Sequence, residues 1–142
     1  MKKSIIRILI PALALNLGIG LAFAADKAET DHLSARAHQV NAAAKSPGMM
    51  DSALHDISVS TGVPLDQVQA LHKRHSNEGV AGVLIACAMA DETGKSPEKF
   101  METRATGKTW TAIARDNNVR MEKLNDKIDH LEKVLTSQEK RR

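Results

Sequence analysis

Twelve consecutive residues, Gly79 to Ala90, carry no charge and almost no polarity. In a chain in which 26% of residues are charged, such a run constrains the fold more than any other feature. Gly79-Val80-Ala81-Gly82-Val83-Leu84-Ile85-Ala86-Cys87-Ala88-Met89-Ala90 is too short to cross a bilayer, which takes roughly 20 residues. It is apolar on every face, and a helix apolar all round must be surrounded by other elements. The run therefore predicts a central buried helix over residues 79–92. Val80, Val83, Leu84, Cys87 and Met89 are expected among its most buried side chains.

The flanking sequence punctuates itself in a recurring way. Gly62, Gly94 and Asn118 serve as reference points. Five residues before each stands a large apolar side chain, Ile57, Met89 or Ile113. Four residues after each stands an acid, Asp66, Glu98 or Glu122, and six after each an apolar residue, Val68, Phe100 or Leu124. Gly and Asn tolerate the left-handed backbone that ends a helix. An acid in the first turn of the next helix meets the positive end of its dipole. Each unit reads as helix, tight turn, helix. The pattern predicts helices over about 50–60, 64–75, 79–92, 97–106, 109–117 and 120–138. Ile57, Val68, Phe100, Ile113 and Leu124 should pack around the central helix.

The expected class is all-α: an irregular bundle of about six short helices built from repeated helix-turn-helix units. The composition suits it, with no Tyr, one Trp and two Phe in an otherwise aliphatic repertoire. Cys87 is the single cysteine, so no disulfide within the chain can staple the fold.

Ahead of the helices, Met1-Lys2-Lys3 and Arg7 form a basic start, Ile8 to Leu21 an uncharged apolar run, and Ala22-Phe23-Ala24 a small-x-small cleavage site. Residues 1–24 are read as a secretory signal peptide and the mature protein as periplasmic or secreted; an uncleaved anchor is the alternative. Residues 25–48 read as a polar, Ala-rich arm or weak helix with the apolar positions Leu33, Ala37, Val40 and Ala44. Lys45-Ser46-Pro47-Gly48 reads as a break, residues 49–138 as the helical domain, and 139–142 as a basic tail. Without Lys2, Lys3 and Arg7 the chain carries 17 basic and 17 acidic residues. A neutral mature protein has no global field to attract nucleic acid or anionic membrane.

Ile57, Gly62, Val63, Val68 and Leu71 fit the general helix-turn-helix pattern, as do Ile113, Ala114, Val119 and Leu124 with Asn118 in the Gly position. Thr93-Gly94-Lys95-Ser96-Pro97-Glu98 followed by Gly107-Lys108-Thr109-Trp110-Thr111-Ala112-Ile113-Ala114 resembles an arrangement found in small exported bacterial proteins. Those proteins have no assigned activity, so the resemblance, over about residues 50–130, implies an architecture and not a reaction.

Four kinds of chemistry can be weighed. A nucleic-acid reader would use Gln67, Gln69, Lys73 and Arg74, or Arg120, Lys123, Asn125 and Lys127; export and mature neutrality oppose it. His72 and His75, three apart on one helix, could chelate a metal, with His55 or Asp56 completing the site. His32, His38 and His130 are the other histidines, and ordinary exposed helix histidines are the alternative throughout. No cofactor is expected and no enzymatic constellation stands out, because Cys87 has no basic neighbour to make it a thiolate. Binding to another protein or to itself remains. Trp110 at a helix start is a candidate contact, with a core role as the alternative. Leu131 and Leu135 close the stripe Met121, Leu124, Ile128, Leu131, Leu135 and could form a seam with a second copy. Packing against Leu33 and Val40 would instead satisfy them within one chain.

Overall fold

The computed structural model describes residue 33 and residues 35–141. The expected signal at 1–24, the arm up to His32 and the final Arg142 lie outside the described residues. The protein is all-α, with no strand among the described residues. A first helix, α1, covers 35–43. It is followed by α2 (Met49–Thr61), α3 (Leu65–Arg74), a 3-10 turn (Ser76–Glu78), α4 (Gly79–Thr93), α5 (Pro97–Ala105), α6 (Trp110–Asp116) and α7 (Met121–Glu139). No helix among the described residues is long and apolar enough to cross a membrane.

The uncharged run is α4, and every residue from Val80 to Ala90 is buried. α2, α3, α5 and α7 all pack on it. Val83, Cys87 and Met89 are fully enclosed, as are Ile57 and Val68 from the neighbouring helices. Phe100, Ile113 and Leu124 join the same core.

Gly62, Gly94 and Asn118 adopt left-handed backbone, with φ of 72°, 70° and 55°. Asn118 is the one non-glycine residue with positive φ among the described residues. Asn tolerates that conformation because its short polar side chain crowds the backbone less than a branched one. At the turn after Gly62 the acid Asp66 lies in the first turn of α3; Glu98 and Glu122 hold the same place in α5 and α7.

The N-terminal arm departs from expectation. Leu33, Val40 and Ala44 are buried in the same core as α4, so the compact part begins well before Met49. Two polar side chains explain why such a thin apolar stripe holds. Arg36 donates to the Asn125 side chain at 3.0 Å and pairs with Asp129, fastening α1 to α7. Asn41 reaches the start of α4: its Oδ1 accepts the Ala81 N–H at 2.9 Å, and its Nδ2 approaches the Glu78 carbonyl at 3.4 Å. Glu78, which precedes α4, provides no side-chain cap. The cap for the most buried helix thus comes from a residue 40 positions earlier. Gly79 is dictated by the same contact. Its φ is 69°, and a Cβ there would lie 2.5 Å from the Asn41 amide oxygen.

Candidate interaction surface

The residues singled out for partner binding are not at the surface. Trp110 opens α6 beneath the Thr109 cap, whose hydroxyl accepts the Ala112 N–H at 3.1 Å. Its indole is buried, with the Arg104 guanidinium 5.7 Å above the ring. Arg104 also bonds Glu78 at 3.2 Å and the Lys108 carbonyl at 2.8 Å. The cluster ties α5 and α6 to the start of α4, and Trp110 is a packing residue within it. Leu131 and Leu135 are 0% and 1% exposed. The expected seam is therefore corrected: both leucines belong to the core that also holds Leu33 and Val40. The physical reason is that α2 and α4 pack on α7, while Arg36 ties α1 to the same helix through Asn125 and Asp129.

The basic side chains of the two would-be reading helices are largely engaged. Arg74 pairs with Glu98 at 3.0 Å, Lys123 with Glu92 at 3.1 Å, and Lys127 with Asp91 at 4.0 Å while also donating to the Ser60 carbonyl. Asn125 is taken by Arg36. Gln67, Gln69, Lys73 and Arg120 are exposed. A phosphate-tracking face needs cations free of carboxylates, and most of these have one beside them.

His72 and His75 turn to different neighbours. His75 faces Glu98 at 2.9 Å, joining the Arg74 pair and tying α3 to α5. His72 lines a cleft with residues of α1 and α2. Among the described residues no group of three or more His, Cys, Asp and Glu side chains is placed to hold a metal ion. His55 and Asp56 lie elsewhere, on the outer face of α2. Cys87 is buried mid-helix, and burial pushes its thiol up to about 12, so it stays protonated and unreactive.

Sequence reasoning missed the surface between α2 and α7. The two helices run antiparallel: Ser60 meets Lys127, and Asp56 meets His130 at 3.2 Å. Between them lies an open groove of about 470 Å³, walled by His55, Asp56 and Val59 of α2 and by Val134 and Gln138 of α7. Val59 is 70% exposed, the one large apolar side chain so exposed among the described residues. A second hollow continues along α7 past Lys133 and Arg141 and shares Val134 and Gln138 with the first. The surface thus has an apolar centre, an acidic edge from Asp51 and Asp56, and a basic edge from Lys133 and Arg141. The Asp56 Oδ2 is buried without a hydrogen-bond partner, although Oδ1 holds His130. The signal in the sequence was angular. Ile57 faces the core, and two residues further on a helix turns by about 200°, so Val59 must face out.

A scan against protein-family models finds no match, and searches of curated proteins and of solved structures find none either.

Proposed function

We propose that this is an exported, non-enzymatic interaction module, periplasmic or secreted, which binds another protein through the α2/α7 groove. In this reading the helix-turn-helix units are a repeated architectural device, and the signal segment is removed on export. The observation that carries the binding reading is Val59. A valine held 70% exposed beside Val134, with charged residues on both edges, has the anatomy of a small interface: apolar centre, polar rim. Two antiparallel helices leave a trough that suits a third helix, whose apolar face would cover both valines.

Asp56, whose Oδ1 holds His130, stands at the wall of the groove and gives it its acidic edge together with Asp51. The opposite charges on the two edges would fix the direction in which a helix lies. Leu131, Leu135 and Trp110 support the module from within by keeping α7 and α6 in place.

The test is retention of partners on immobilised protein, comparing the parent with Val59→Lys and with Lys99→Glu, a charge change on exposed α5. A protein retained by the parent and by Lys99→Glu but lost with Val59→Lys is the expected result. Equal retention by all three would remove the groove from the proposal. Sedimentation of each variant separates a second copy of this chain from a different protein.

A further inference from the structure

The cleft that His72 lines has a distinct donor chemistry. α1 contributes His38, α2 contributes Met50 and α3 contributes His72 to one cavity of about 310 Å³. Neither histidine has a hydrogen-bond partner among the described residues, in contrast to His75 and His130, which each face a carboxylate. Two imidazoles and a thioether, carried by three successive helices, thus line one cavity. We infer that His38, Met50 and His72 form a binding site for copper(I).

The choice of metal follows from the donors and from the charge around them. A thioether is a soft ligand that favours copper(I), while imidazole serves copper and zinc alike. Zinc is ordinarily held by imidazole, thiolate or carboxylate, usually in fours. No carboxylate lines this cleft; Lys45 does, and so do Gly79 and Val80 at the start of α4. That helix end carries partial positive charge. All three donors are neutral, so nothing at the site compensates a dication, and a monovalent ion meets half the repulsion. Hard dications, which require oxygen ligands, find only amide and hydroxyl groups there.

The site is held by the core beneath it. Met50 follows Met49, which is buried, and His72 follows Leu71, which is buried. His38 lies one turn before Asn41 on α1, and Asn41 is fixed by its bond to the Ala81 N–H at 2.9 Å. Asn41 is therefore a positioning residue: the bond that caps α4 also sets which face of α1 looks into the cleft. A ligand set carried on locked helices loses little entropy on binding.

The experiment uses the protein as purified, titrated anaerobically with copper(I) against a coloured competing chelator, with the methionine methyl groups labelled for NMR. One equivalent should bind, and the Met50 methyl resonance should move while those of Met49, Met89, Met101 and Met121 stay in place. His38→Ala, His72→Ala and Met50→Leu should each weaken binding by roughly tenfold or more, whereas His130→Ala should bind as the parent does. Met50→Leu keeps the volume of the side chain, so a folded variant isolates the sulfur; circular dichroism checks this. A Met50 methyl that does not move, or a Met50→Leu protein that binds copper(I) as tightly as the parent, overturns the assignment. Equal loss with His130→Ala would show scattered histidine binding and overturn it as well.

Discussion

Replacing Asn41 with Ala removes the cap of the helix around which the rest is packed. The Ala81 N–H then loses its partner at a residue that is 0% exposed in the parent. The second bond, at 3.4 Å to the Glu78 carbonyl, is long and adds little. Losing a cap costs about 0.5–2 kcal/mol, and a buried unpaired donor about 1–3 kcal/mol. These describe the same lost contact from two sides, so they are not summed; a destabilisation of about 2 kcal/mol is expected. For a domain of this size it should lower the urea midpoint by roughly 1–2 M, with the slope unchanged. Asn41→Asp separates capping from packing. It keeps an acceptor and places a negative charge at the positive end of α4, so it should lose less than half of what Ala loses. A loss below about 0.5 kcal/mol for Ala, or an Asp variant as weak as Ala, would refute the capping argument.

Leu84→Ala, at a fully enclosed site on α4, should cost about 2–5 kcal/mol by urea unfolding, and less than 1 kcal/mol would show that α4 is not central. Leu131→Glu should lower the melting temperature sharply, because it buries a carboxylate among aliphatic side chains; it should not act by dissociating a dimer, and sedimentation at matched concentration would reveal one. The Cys87 thiol should resist alkylation at pH 8 in the folded protein and react fully once unfolded. Its folded pKa of about 12 lies above that of an unfolded thiol, so the stability it contributes is intact below pH roughly 8.5 and is lost as pH rises toward 12. Cys87→Ala should remove that part of the alkaline loss in a pH series of urea melts.

The parts of the fold that could be read from the sequence are those encoded locally. α4 was visible because twelve residues without charge leave a helix no solvent face. The ends of α2, α4 and α6 were visible because Gly62, Gly94 and Asn118 supply left-handed backbone at fixed offsets from core positions. What escaped was long-range and polar. Asn41 and Arg36 look like ordinary surface residues on a weak stripe, and only the folded chain brings them to Ala81, Asn125 and Asp129. Their absence from the reading made the arm look detachable, and that error made Leu131 and Leu135 look uncovered. Trp110 misled for a related reason: a lone tryptophan at a helix start suggests a contact residue, yet Arg104 and the core enclose it. The spacing of His72 and His75 suggested a chelate, but Glu98 on α5 claims one of the pair. The α2/α7 groove needed both helices in place before Val59 and Val134 could be seen together.

The claim that this groove is where the protein meets its partner is most directly tested by a photocrosslinking amino acid placed at Val59 in the producing cell. A parallel protein carries it at Glu102, which is exposed on α5 away from the groove residues. The account predicts a discrete protein adduct from position 59 and none from position 102, with the position-59 adduct lost when Val134→Glu is added. No adduct at 59, or the same adducts from both positions, would contradict it.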